Sequence, residues 1–89
     1  MSFLLHAQVN ALASVLESLD QYDEAEDLFR EALRVKKAQL GGDHTSTGIT
    51  MDRLALLLEK TEQFEEAEEL YRGVLTIKIN TFGEVTQEW

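Results

Sequence analysis

Gln21 to Leu33 reads QYDEAEDLFREAL, and 42 positions later Gln63 to Leu75 reads QFEEAEELYRGVL. Tyr22 aligns with Phe64, Ala25 with Ala67, Phe29 with Tyr71 and Gly41 with Gly83 in that one register. Over residues 12–41 and 54–83, 13 of 30 positions are identical, and most others are swaps such as Asp23 for Glu65 or Val35 for Ile77. Chance does not hold a register for that long, so the chain is built from two copies of one unit. Such units bury their apolar faces chiefly against a neighbouring unit, which points to a stacked repeat architecture.

Apolar spacing says what the unit is. Leu5, Val9, Leu12, Ala13, Leu16 and Leu19 recur at steps of three and four, which places them on one helical stripe. Tyr22, Ala25, Leu28, Phe29, Ala32, Leu33 and Val35 do the same, and so do Met51, Leu54, Ala55, Leu57 and Leu58. A fourth stripe runs through Phe64, Ala67, Leu70, Tyr71, Val74, Leu75 and Ile77. Proline is absent, so breaks come from glycine and short polar side chains. In LGGDHTSTG, Leu40 to Gly48, Gly41 and Gly42 suit the left-handed end of a helix and Asp43, Thr45 or Ser46 suit the cap of the next. Tighter turns are expected near Asp20–Gln21 and Glu62–Gln63. The predicted fold is all-α: two stacked antiparallel helical hairpins in a single domain over 1–89, with repeat 1 over about 5–41, a loop over about 41–46 and repeat 2 over about 47–83.

Composition removes whole classes of function. With 17 Asp plus Glu against 8 Lys plus Arg, the formal charge of −9 argues against nucleic acid and anionic membrane, which are held by basic side chains. Basic or apolar protein surfaces are the better partners. Without cysteine there is no disulfide framework, zinc knuckle or thiol nucleophile. No run of about 18 apolar residues exists, so direct membrane insertion is not expected, and the opening MSFLLHAQVNALASVL lacks the pattern of a signal peptide. A cytoplasmic or other intracellular soluble compartment is the expectation.

The groups capable of carrying chemistry have simpler explanations. DEAED, Asp23 to Asp27, and EEAEE, Glu65 to Glu69, offer the hard oxygens that calcium and magnesium take. Each instead sits at a helix start, where acidic side chains complement the dipole, and Glu26 with Arg30 and Glu68 with Arg72 form pairs four residues apart. With neither an EF-hand loop nor a Glu-x-x-His ligand pair, no metal site is assigned, and no cofactor is implied. His44 beside Asp43 has no nucleophile to activate and is read as a loop-fixing residue. His6 is read as facing solvent or a partner. Tyr22, Phe29, Phe64 and Tyr71 keep a fixed place in each copy and are expected to fill space between paired helices. Gly73, where the first copy has Glu31, costs about 1 kcal/mol against alanine in a helix, so close approach of another helix or fraying is expected there.

The pattern of Leu12-Ala13 with Leu16, Tyr22, Ala25-Glu26, Leu28-Phe29-Arg30 and Ala32-Leu33 resembles the tetratricopeptide repeat, and the fold it implies is an α-solenoid fragment of that kind. The 42-residue period, longer than the usual 34, and the tail LGGDH resemble the kinesin-light-chain type of that repeat. Three features depart from it: Asp20 and Glu62 stand where a turn glycine is usual, Thr45 follows His44 in place of proline, and the second loop reads FGEVTQEW. The stub 84–89 falls where a third repeat would start. The resemblance implies that the first helix of each hairpin lines a concave, partner-binding face. By position these residues are Ala7, Asn10, Ser14 and Glu17, with Ile49, Asp52, Arg53, Leu56 and Glu59. Only Asn10 and Arg53 match the residues with which some relatives clamp a C-terminal carboxylate, so an acidic-tail clamp is not expected.

Two functions follow. One is a non-catalytic adaptor that holds a peptide or helix of a partner protein on its concave face. The other is a structural subunit or array fragment, docked in a larger assembly or self-associating through apolar ends at Phe3, Leu4 and Leu5 and at Ile79, Phe82 and Trp89. An enzyme ranks below both, since no nucleophile, acid–base pair or phosphate loop is present.

Overall fold

The computed structural model describes residues 11–82, the side chain of Phe82 apart. The described chain forms four helices: α1 over 11–18, α2 over Tyr22–Leu40, α3 over Thr45–Lys60 and α4 over Phe64–Phe82. Helix α2 lies on α3, and α3 on α4. The all-α, two-hairpin expectation holds. The expected third-repeat stub, and Phe3, Leu4, Leu5, His6, Ala7, Asn10 and Trp89, lie outside the described residues.

The two hairpin turns are copies in backbone as well as sequence. Asp20 and Glu62 take φ of 63° and 65°, the left-handed conformation that usually falls to glycine. After α1, the N–H of Asp20 donates to Glu17 O (3.0 Å) and that of Gln21 to Leu16 O (2.8 Å). After α3, Glu62 donates to Glu59 O (3.0 Å) and Gln63 to Leu58 O (2.7 Å). Both are Schellman closures, which satisfy the last carbonyls of each helix. The departure from turn glycine therefore leaves the turn geometry intact and puts a strained L-residue in it.

Between the hairpins, α2 ends at Gly41, whose φ of 92° needs glycine. The cap of α3 departs from expectation. None of Asp43, Thr45 or Ser46 provides it: His44 Nδ1 accepts from the N–H of Ser46 at 3.0 Å, because His44 stands two residues before that donor, the spacing an N-cap side chain reaches. Thr47 Oγ1 ties the loop back by donating to Gly41 O at 2.9 Å. Helix α3 accordingly starts at Thr45, ahead of the boundary expected at about 47.

The core gathers Ala13, Ala25, Phe29 and Leu33 with Met51, Leu54, Ala55, Leu57 and Leu58, and continues into Ala67, Val74 and Ile77. Tyr22 and Tyr71 pack on its margin, as expected for ring fillers. Phe64 does not: it is exposed, because no described helix covers the side of α4 that carries it. Glycine sets how closely α3 and α4 meet. A Cβ on Gly48 would stand 3.2 Å from Ile77 Cδ1, and one on Gly73 would stand 2.5 Å from Met51 Cε. At Gly73 the neighbour is the terminal methyl of the Met51 side chain, with no backbone of another helix within 4 Å.

Polar bonds join the repeats. Arg30 donates to Glu66 through two nitrogens, at 2.7 and 2.8 Å, while its Nε holds Glu26 at 2.9 Å. This bidentate pairing holds the Glu66 carboxyl below its usual value. Gln63 Nε2 donates to Glu26 at 3.2 Å, and Lys60 pairs with Glu17 across α3 and α1. Lys36 is buried between α2 and α3, donating to Thr50 Oγ1 at 2.9 Å. Burial, reinforced by the charge of Arg53, pushes its ammonium below the usual lysine range.

Candidate protein-binding surfaces

Helix α3 has little solvent face to spare, because α2 takes one flank and α4 another. Along its middle, Ile49, Arg53 and Leu56 face outward at the helical steps of three and four, with Asp52 half-buried beside them. These four line a groove of about 450 Å³ whose opposite wall is Val74, Ile77, Lys78 and Thr81 of α4. Its floor depends on Gly48, where any side chain would meet Ile77. The lining is mostly apolar, with one acidic and two basic side chains at the rim.

Ser14, Glu17 and Glu59, the other described residues expected on this face, stand apart from the groove. Ser14 and Glu17 are half-buried on α1, and Glu17 is engaged by Lys60. Glu59 turns toward α4, where it accepts from the Tyr71 hydroxyl at 2.8 Å. Burial first, and then this bond, push the Tyr71 hydroxyl up to about 12. Glu59 and Tyr71 belong to a second groove, of about 420 Å³, with Phe64, Ala67, Glu68, Arg72 and Leu75. Ile79, expected at an end interface, is exposed on the same helix.

Sequence reasoning missed the α4 wall. The signal was in the repeat: Val74, Leu75, Ile77 and Lys78 hold the places of Ala32, Leu33, Val35 and Lys36, a stretch of α2 that lies against α3. Of the four on α4, Leu75 and Lys78 are exposed, while Val74 and Ile77 are buried, with Ile77 against Gly48 of α3.

The His44 ring is spent on capping, and among the described residues no group of three His, Asp or Glu is placed to hold a metal ion. No helix among the described residues is long and apolar enough to cross a membrane. Stacked antiparallel hairpins with open apolar grooves define an α-solenoid repeat protein. The profile of the tetratricopeptide repeat family matches residues 3–80, and the chain belongs to that family. Repeats of this family generally mediate protein–protein interaction. A comparison with curated proteins gives no significant match.

Proposed function

We propose that the protein is a non-catalytic adaptor that holds an apolar or basic peptide, or a helix, of a partner protein on the concave face formed by the first helix of each hairpin. The observation that carries this reading is the pair Ile49 and Leu56: two large apolar side chains, each about half exposed, flank Arg53 at the mouth of a groove. Apolar area of this kind, rimmed by charge, is how grooves grip amphipathic helices. The 42-residue period and the LGGDH tail support a repeat of the kinesin-light-chain type. The concave set is Ala7, Asn10, Ser14, Glu17, Ile49, Asp52, Arg53, Leu56 and Glu59.

The test is selection of helical peptides from a displayed random library, with affinity read by fluorescence anisotropy. Ile49→Ala with Leu56→Ala is expected to weaken the selected peptide by about tenfold or more, the loss of roughly 1.4 kcal/mol. Alanine at Asn10, Asp52 and Arg53 is expected to weaken it further. Affinity that survives both sets of changes removes the groove assignment.

A second reading is supported by apolar side chains at opposite ends of the stack. Leu12, Val15 and Leu19 are exposed on α1, and Phe64, Leu75 and Ile79 on α4. On that reading the protein is a structural subunit docked through its ends, and Leu75→Glu releases it from its native assembly.

A further inference from the structure

From these two open ends we infer that the protein associates head to tail with further copies of itself, α1 of one copy docking on α4 of another as α3 docks on α2 within one chain. The inference rests on the reading of the ends as interfaces, and it commits them to one occupant.

The interface is already made once inside the molecule. Helices α1 and α3 are the same segment of the repeat, as are α2 and α4. On the first-helix side, Leu54 and Leu57 are 1 % and 0 % exposed in α3, whereas their counterparts Leu12 and Val15 in α1 are 51 % and 54 % exposed. On the second-helix side, Leu33 is 8 % exposed in α2 and its counterpart Leu75 in α4 is 48 %. Tyr22 packs against the core and its counterpart Phe64 does not. Each molecule therefore carries both unmade halves of a contact whose made form is visible between its own repeats.

The polar bonds across that contact have their partners in place too. Arg30 holds Glu26 in its own helix and Glu66 in the next repeat, and Gln63 reaches back to Glu26. One repeat later, Arg72 holds Glu68 in its own helix, at 2.8 Å, with no acceptor on another helix among the described residues. Docking supplies one: Glu24 of the second copy takes the place of Glu66, and Gln21 of the second copy takes the place of Gln63 against Glu68. All four residue types are unchanged between the copies, and Gln21, Glu24, Glu68 and Arg72 are exposed. Two bonds are not reproduced: Ser18 stands where Lys60 pairs with Glu17, and Gln8, outside the described residues, stands where Thr50 accepts from Lys36.

A contact between unlike faces does not close on two copies, so growth runs past the dimer into open chains or larger rings. The experiment is sedimentation velocity of the full chain over a range of concentrations at physiological salt, where the screening length is about 8 Å. The mass is expected to climb past that of a dimer. Val15→Glu blocks one face and Leu75→Glu the other, so each variant alone is expected to be monomeric while an equimolar mixture forms one-to-one dimers and nothing larger. Both positions are exposed, and unchanged helical melts exclude misfolding. Glu24→Arg and Arg72→Glu are each expected to weaken association about tenfold or more, and the chain carrying both to recover it. A wild-type monomer at every concentration overturns the inference, as does Val15→Glu self-association or a mixture that gains nothing. End-docking on a different protein keeps its own readout, release of Leu75→Glu from the native assembly.

Discussion

Leu33 and Leu75 occupy the same place in two copies of one hairpin, in helices that begin after the same Schellman turn, yet one is 8 % exposed and the other 48 %. Arg30 and Arg72 differ in the same way: one bridges two repeats, the other only its own helix. The repeat sequence decides which residues a helix turns to one side. What lies on that side is decided by the neighbour, and α2 has α3 there while no described helix covers α4. Identical residues are thus core in one hairpin and surface in the other.

The largest effect is expected from truncating the covered leucine. Leu33→Ala should cost about 2–5 kcal/mol in urea unfolding of a dilute solution, and Leu75→Ala under about 1 kcal/mol. Equal costs would mean that the α4 face is covered in solution even in the dilute chain.

Next come the arginines. Arg30→Ala should cost about 1–2 kcal/mol, a figure already reduced because the Arg30 and Glu66 side chains remain 39 % and 40 % exposed. Arg72→Ala should cost under about 0.5 kcal/mol. The pH dependence has a definite sign. Glu66 is held below its ordinary value, so its contribution is complete above about 4.5 and is lost as pH falls through the lower, folded value. Acid melts of wild type and Arg30→Ala should converge in that window, and parallel curves would remove the assignment.

The smallest effect separates the two turns. Glu62→Gly should raise stability by about 1 kcal/mol by relieving a positive φ that a glutamate tolerates poorly. Asp20→Gly should gain less, because aspartate accepts that conformation more readily and Asp20 also accepts from the Tyr22 hydroxyl at 3.2 Å. Thermal melts of the two variants side by side check the order.

The helices and their hairpin pairing were legible from periodicity and from comparing the copies. The cap by His44 was not, because histidine is an uncommon N-cap and its acceptor nitrogen shows only once the ring is placed against the Ser46 amide. Phe64 misled for a physical reason: repeat position reports the side on which a ring lies, and burial needs a helix there. On the candidate site, Ile49, Arg53 and Leu56 were expected from the family resemblance by their place in a first helix, and the structure leaves all three exposed. The α4 wall was not read, because attention to first helices alone discards half of every groove between a first and a second helix.

The methyl of Met51 fills the space that a side chain at Gly73 would take, and the residue is 8 % exposed. With no cysteine in the chain to compete for oxidant, its thioether is a chemical clock for the second hairpin. Peroxide reaches the sulfur as α3 and α4 part, so the rate of sulfoxide formation at Met51, resolved from that at Met1 by peptide mapping, counts the openings of one helix pair without any label or added probe.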